Sequence, residues 1–567
     1  MARNIGVNFN GKNIVHPGAH SRTNSDSLTT LGTAGSKRIA FVGTSEGGKP
    51  GVVHTFDNPA DARDVLRGGD LFKAGDLAWT PSGDGVGAGS ISFLRVSDAK
   101  QSTLTKGSLV LTSKDWGDFT KNIQVKLEAG TAVGSKRLTA YLWTDETREV
   151  FDNIGPIFTV KYKGKEDTAT LSIIEDTQTK KAKTLALKVG TADVMSFQLG
   201  DGEYADINKI IYKINENKDF EAAMVTYGNK NLKSDALDVV ASQIIKDVSY
   251  TVTALKGDLL YQTRYSKLIN VDFAATGAIT DFDFTYLAGG AEGEIPASWA
   301  KEFNKLFGEG CYIVVPLTGD AAIHAECARF INNQSVLERN KMIGVYGGKL
   351  GESVDDAIGR ALTFNSSRAV VAYPGITRAI NSDEQEVLPP YFTAAMIAGR
   401  IAGKPTGEPV TLNFLNLIGL ERVLTATEID RLIQSGVTCV EFVRQTNKKG
   451  YRIVQGVTTY QVDTNPSFRE ISMRILDDEL STELVEHLES KFAGGKGTIS
   501  SIALIKNETQ AFLDKKVREE VIVTYQPESV VVRLVGDQVF VDYSCIPVGA
   551  INYILITAKY YQQQILA

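Results

Sequence analysis

Three short stretches of this 567-residue chain carry the residue types of catalytic motifs, and each lacks a part that the chemistry needs. Gly43-Thr44-Ser45-Glu46-Gly47 has the GxSxG spacing that would raise a serine hydroxyl on a strand-to-helix elbow for acyl transfer. The elbow requires a helix directly after the serine, whereas Pro50-Gly51 follows and breaks one. The histidines beyond it, His54, His324 and His487, have no acid in an evident orienting position. His324-Ala325-Glu326-Cys327 contains the HxE of a zinc deaminase, but the PCxxC that completes such a site is missing. Gly494-Gly495-Lys496-Gly497-Thr498 has glycine where a phosphate-binding loop needs Ser or Thr after the lysine, and a helix rather than a strand leads into it. Gly347-Gly348-Lys349-Leu350-Gly351 fails in the same way. The glycines of 494–497 are expected to cap and turn a chain between two helices. The acid pairs Asp355-Asp356 and Asp477-Asp478 are placed at helix starts, where carboxylates complement the helix dipole. Cys311, Cys327, Cys439 and Cys545 are far apart and form no CxxC, which points to reduced, buried thiols. No catalytic residue, metal ligand or cofactor site is assigned, and the chain is expected not to be an enzyme.

Composition narrows the choice further. Lys and Arg number 61 against 67 Asp and Glu, a net charge of −6. A chain built to neutralise phosphates needs a strong basic excess, so direct nucleic-acid binding is not expected. No apolar run approaches the ~20 residues that span a bilayer, so no membrane insertion is expected. The first residues, Met1 to Asn8, lack the apolar core of a signal peptide. At about 150 residues per domain the length allows about four domains.

The pattern along the chain divides it. Residues 1–36 hold a short alternating piece, Ile5 to Phe9, a second apolar pair, Ile14-Val15, and then a polar tract rich in Ser, Thr and Asn. Such a tract packs no core, so this segment reads as an extended arm and linker with no local strand partner. Residues 37–98 read as the first part of an α/β core, with a buried strand at Arg38–Gly43, a helix begun by Asn58-Pro59, and a second strand at Ser90–Val96. Residues 99–268 alternate with period two, as at Ile123–Leu127 and Thr184–Val189, and read as one or two inserted antiparallel β domains. The stretches Ile207–Ile214 and Ala236–Ile245 are expected to be helical. Residues 269–403 return to strands alternating with helices, the mark of a parallel sheet covered on both faces. Helices are expected from Pro296 to about Gly308, from Asp320 to about Arg339 and from Ser353 to Thr363. Residues 404–549 read as an α+β domain. It has a capping box at Thr425 and Glu428, a strand at Phe468–Ile475, long helices at Asp478–Phe492 and Ile499–Glu520, and a hairpin of Val530–Val535 with Gln538–Tyr543. Residues 550–567 form a last extended arm.

The two ends carry β-forming residues with no evident place in their own sheets. They are Ile5, Val7, Phe9, Ile14 and Val15 at the start, and Ile551, Tyr553, Leu555 and Thr557 at the finish. Both strands either close a sheet of their own domain or are exchanged between subunits. Head-to-tail exchange does not close on itself and builds rings or helical filaments. The acceptor would include the hairpin residues Val530, Val532, Leu534, Val539, Val541 and Tyr543.

Several motifs, in their order, resemble the tail sheath proteins of contractile-tailed bacteriophages. They are His16-Pro17-Gly18, Ile39-Ala40-Phe41-Val42-Gly43-Thr44 and Ala394-Ala395-Met396-Ile397-Ala398-Gly399-Arg400-Ile401-Ala402-Gly403. Further on come Leu424-Thr425 with Glu428, Gly436-Val437-Thr438, Gln455-Gly456-Val457-Thr458-Thr459-Tyr460, and Val541-Asp542-Tyr543 with Pro547-Val548-Gly549-Ala550-Ile551-Asn552-Tyr553. The resemblance covers the arm (1–30) and the core (31–97 and 270–567); the insertion is its least diagnostic part. It implies an α/β and α+β multidomain fold with exchanged terminal strands, and a homo-oligomer of sixfold rings stacked helically around a tail tube. It also implies contraction from a metastable extended state that drives the tube through the host envelope. The implied partners are the tube, baseplate and tail terminator proteins. The implied place is the virion tail, after synthesis and assembly in the host bacterial cytoplasm. Two readings stand beside it: the sheath of a related contractile injection device, and a soluble α/β hydrolase using Ser45.

Overall fold

Continuous apolar runs in this chain become strands buried on both faces. In the computed structural model, which describes residues 7–9, 12–14, 37–336, 340–380, 384–444, 449–463, 468–492, 495–535, 538–549 and 552, they meet in one nine-stranded sheet. Its order is Phe414–Leu415, Lys449–Ile453, Val437–Arg444, Ala369–Tyr373, Ile343–Gly347, Cys311–Pro316, Arg38–Gly43, Ile91–Arg95 and Val53–Phe56. The six strands from Val437–Arg444 to Ile91–Arg95 run parallel, and the outer ones are antiparallel. Every residue of Ile91–Arg95, Ile343–Gly347 and Ala369–Tyr373 is buried, as a covered parallel sheet requires.

Helices cover both faces. Gly69–Trp79 and Pro390–Gly403 pack on one side with Phe41, Phe93 and Val345. Ala321–Val336, Val354–Phe364 and Ala426–Gln434 pack on the other with Val42, Val314 and Val371. Pro390–Gly403 is buried nearly throughout and touches Gly69–Trp79 backbone to backbone. A Cβ on Gly399 would stand 2.3 Å from the Ala78 carbonyl oxygen, so only glycine allows this approach. Helix starts follow the expected caps: Asn58 accepts from Asp61 N–H, and Thr425 with Glu428 and Ser353 with Asp356 form capping boxes.

The insertion is two antiparallel units with separate cores. One contains Val125, Leu127, Leu138 and Leu142; the other packs the helix Ile207–Asn215 on two sheets through Ile207, Ile210 and Ile214. Ile269–Phe273 pairs with Leu109–Ser113, and Phe282–Tyr286 with Ile123–Ala129. Both belong to the insertion, so its end lies well past the 268 expected from the pattern. The two connecting chains lie side by side, bridged at Lys100 with Ala291 and at Thr103 with Ala288. Arg95, 2% exposed, clamps this neck by donating to the carbonyls of Gly48 and Trp116 at 3.0 Å each and to Glu292 at 2.5 Å.

Five further expectations need correction. Val240–Ile244 is a strand paired with Ala169–Glu175, not a helix, because an open sheet edge was available to its β-branched residues. The helix expected from Pro296 begins at Ala300 and is one short turn continued as a 3-10 turn. Phe468–Ile475 is not a strand: the helix Ile471–Phe492 starts there, with Ile471 and Ile475 set on the central core at helical spacing. Asp477 and Asp478 therefore lie inside that helix rather than at its start. In the N-terminal arm, Val7–Phe9 pairs antiparallel with Lys12–Ile14, so this strand has a local partner.

Candidate assembly surface

The C-terminal unit begins as two antiparallel helices, Ile471–Phe492 and Ile499–Arg518. Thr498 caps the second by accepting from Ser501 N–H at 3.1 Å, so Gly495, Lys496 and Gly497 serve a helix–helix turn. Leu476, Leu480, Leu484, Phe512 and Leu513 form a small core closed by Ile522 and Val530.

Charge ties this unit to the central body. Asp478 is 2% exposed and accepts from Arg368 at 2.7 and 2.8 Å, from Arg474 at 2.7 Å and from the Tyr312 hydroxyl at 3.0 Å. Burial, with the Asp478 charge beside it, raises the Tyr312 phenol well above its ordinary range. Lys516, 1% exposed, meets Glu483 at 2.6 Å and Glu519 at 3.2 Å. Burial opposes its charge, but these carboxylates outweigh burial and leave its pKa raised. At the root of the N-terminal arm, the Lys37 ammonium donates to the Lys404 carbonyl. Burial lowers its pKa to about 8 against the pull of Glu479 and Glu408.

Two small sheets complete the unit. Ile522–Tyr525 pairs with Cys545–Pro547, and Val531–Val535 with Gln538–Asp542 in the register Val532 to Val541 and Leu534 to Val539. Each sheet has two strands, so each offers open edges among the described residues. Val523, Val531, Val535, Phe540 and Ile546 are all exposed on them.

The residues singled out from the sequence divide accordingly. Val532, Leu534, Val539 and Val541 share the hairpin face turned toward the helices, Val530 is fully buried and Tyr543 half-buried. Leu534, Val539 and Val541 line a groove of about 630 Å³ against Leu488, Phe492, Ile502 and Ile505. Val539, at 43%, is as exposed as Phe540 on the opposite face, and Val531 and Val535 are exposed beside them. Val7, Phe9 and Ile14 lie in the paired arm strands. Ile5, Val15, Ile551, Tyr553, Leu555, Thr557 and the hairpin turn lie outside the described residues.

The enzyme-like motifs resolve into structure. Ser45 is buried and donates to the Gly47 carbonyl at 2.7 Å, in a turn with no helix after it. His324 is buried between the Thr318 carbonyl at 2.7 Å and the Arg360 guanidinium at 3.0 Å; burial and that cation lower its pKa to about 3. His487 does have an acid beside it, Glu508 at 3.0 Å, but on the far C-terminal helices. Among the described residues no group of His, Cys, Asp and Glu could hold a metal ion, and no helix is long and apolar enough to cross a membrane.

Comparison with known proteins gives a consistent result. A family model for the phage tail sheath protein central domain matches residues 308–459. The chain is 39% identical to the tail sheath protein of Bacillus phage SP01, with 98% of this chain and 97% of that protein covered. It is 37% identical to a putative tail sheath protein of Enterococcus phage phiEF24C, with 99% of both covered. It is 33% identical to the tail sheath protein of Staphylococcus phage Twort over the full length of both. Among solved structures, a sheath tail protein from Desulfitobacterium hafniense shares the fold with a TM-score of 0.55 at 14% identity, covering 94% of this chain and 97% of that one.

Proposed function

This chain belongs to the phage tail sheath protein family, a structural component of the virion tail rather than an enzyme, and on that premise we propose how it assembles and works. Subunits polymerise as sixfold rings stacked helically around the tail tube, bounded by baseplate and terminator proteins, after synthesis in the host bacterial cytoplasm. Residues 1–36 and 550–567 of neighbours add strands to the open edges of the C-terminal sheets. The observation that carries this reading is the pair of two-stranded sheets in the C-terminal unit, with open edges among the described residues and exposed apolar side chains on them.

Each backbone hydrogen bond of an added strand contributes about 0.5–1.5 kcal/mol, so a short strand contributes a few kcal/mol per contact. The polar linker lets the strand stay paired while the bodies shift as rigid units. Contraction is then a repacking of subunits from a metastable extended state, with no nucleotide consumed, that drives the tube through the host envelope. Deleting residues 550–567 is the test. Hollow striated polymers of the intact chain, seen by negative-stain electron microscopy, are expected to be lost while far-ultraviolet circular dichroism stays unchanged. Polymers that survive the deletion would sink the strand-exchange part.

A further inference from the structure

One sheet of the insertion presents an organised aromatic face that the assembly reading does not use. Thr147–Ile154, Lys136–Leu142, Ile123–Ala129 and Phe282–Tyr286 lie in that order in an antiparallel sheet. Ile123, Val125, Leu127, Leu138, Ala140 and Leu142 point into the core. Strand alternation therefore sends Gln124, Lys126, Tyr141, Arg148 and Tyr286 to the other side. The register aligns them: Gln124 stands opposite both Tyr141 and Tyr286, and Tyr141 opposite Arg148, a row across all four strands. Trp143 is 60% exposed, Tyr286 53% and Phe284 48%.

Two of these rings, Trp143 and Phe284, are held by their neighbours. Trp143 packs edge-on against Tyr141 with centroids 4.5 Å apart, and its indole N–H reaches the Gln124 carbonyl oxygen at 3.4 Å. Lys126 lies 5.6 Å over the Phe284 ring while paired with Glu128 at 3.1 Å and Asp283 at 3.3 Å. Clustered, exposed, rigid aromatics on a sheet face are a feature that stability does not require. A ring pre-set by its neighbours gives up little freedom when a ligand stacks on it.

We propose that this face is a binding platform for a neutral polysaccharide, with pyranose rings stacked on Trp143, Tyr286 and Phe284. The pattern selects the ligand. Amide, hydroxyl and guanidinium groups of Gln124, Tyr141 and Arg148 alternate with the rings, which suits a molecule with apolar ring faces and a hydroxyl rim. Lys126 is paired with Glu128 and Asp283, and Arg137 on a neighbouring position with Asp152 at 2.8 Å, so the guanidinium of Arg148 stands in the row without the run of free cations that a polyanion needs. Adjacent strands are about 4.8 Å apart, so Tyr141 and Tyr286, two strands apart, span about the length of two sugar rings.

The test applies the full-length chain to an array of neutral hexose and N-acetylhexosamine oligomers, beside the variants Trp143→Ala and Tyr286→Ala. The intact chain is expected to bind at least one neutral class, with affinity about tenfold weaker for each ring removed. A lysine variant on the other insertion unit, Lys188→Ala, is expected to bind unchanged. No binding across the array, or binding indifferent to both ring variants, would overturn the proposal. So would ring variants that abolish polymerisation, which would assign the face to a second copy of the chain. Polymerisation is read separately by electron microscopy, so failure of the array leaves the strand-exchange reading standing.

Discussion

The strand Arg38–Gly43 has a neighbour on each side and helices above and below; the strand Val531–Val535 has one neighbour among the described residues. The first belongs to a sheet whose inner strands are paired on both sides and buried on both faces. The second belongs to a unit that leaves Val523, Val535, Phe540 and Ile546 in water. The difference separates what holds the subunit together from what is left for other subunits. It predicts that stability and assembly respond to different substitutions.

The largest effect is expected in the central body. Phe93 is fully buried, with ring centroids 5.7 Å from Trp79, 5.9 Å from Phe41 and 6.0 Å from Phe56. Phe93→Ala should cost about 3–5 kcal/mol in urea unfolding, with loss of assembly following loss of fold. Asp478→Ala strands Arg368 and Arg474 without their buried acceptor and should cost up to about 3–5 kcal/mol. A measured cost below about 1 kcal/mol would mean that the joint between the two regions is not held by this cluster.

A smaller effect follows from pH. His324 is neutral in the folded chain because its pKa is lowered to about 3, below the ordinary 6.5. The unfolded chain takes up its proton first, so this stability is present above about 6.5 and is lost as pH falls toward 3. Between pH 7 and pH 5 the loss is on the order of 2 kcal/mol. Unfolding curves of His324→Gln should fall less steeply over that interval. The smallest change in stability, within about 0.5 kcal/mol, is expected for Val535→Ser on the exposed hairpin face. Sedimentation should nonetheless show its polymers weakened, and unaltered polymers would erase the contrast between the two regions.

The same contrast governs what could be read from the residues. Arg38–Gly43, the Asn58 cap and the Thr425–Glu428 capping box are local decisions, and they stand in the structure as read. Val240–Ile244 and Ile471–Ile475 were decided from far away, the first by an edge at Ala169–Glu175 and the second by the central core. The role of Asp478 was invisible because Arg368, its partner, is 110 residues distant. The hairpin was legible, but not which of its faces turns outward, since both carry apolar residues.

The neck of the insertion has one more consequence. Its two connecting chains run paired through Lys100 with Ala291 and Thr103 with Ala288, and both are fastened to the body at Arg95. A loop that leaves and returns at one point imposes no distance on what lies between. The nearly two hundred residues beyond that point are therefore a cartridge. Selection, or an engineer wanting to display a foreign domain in ordered array, can exchange the contents while the body beneath keeps its shape.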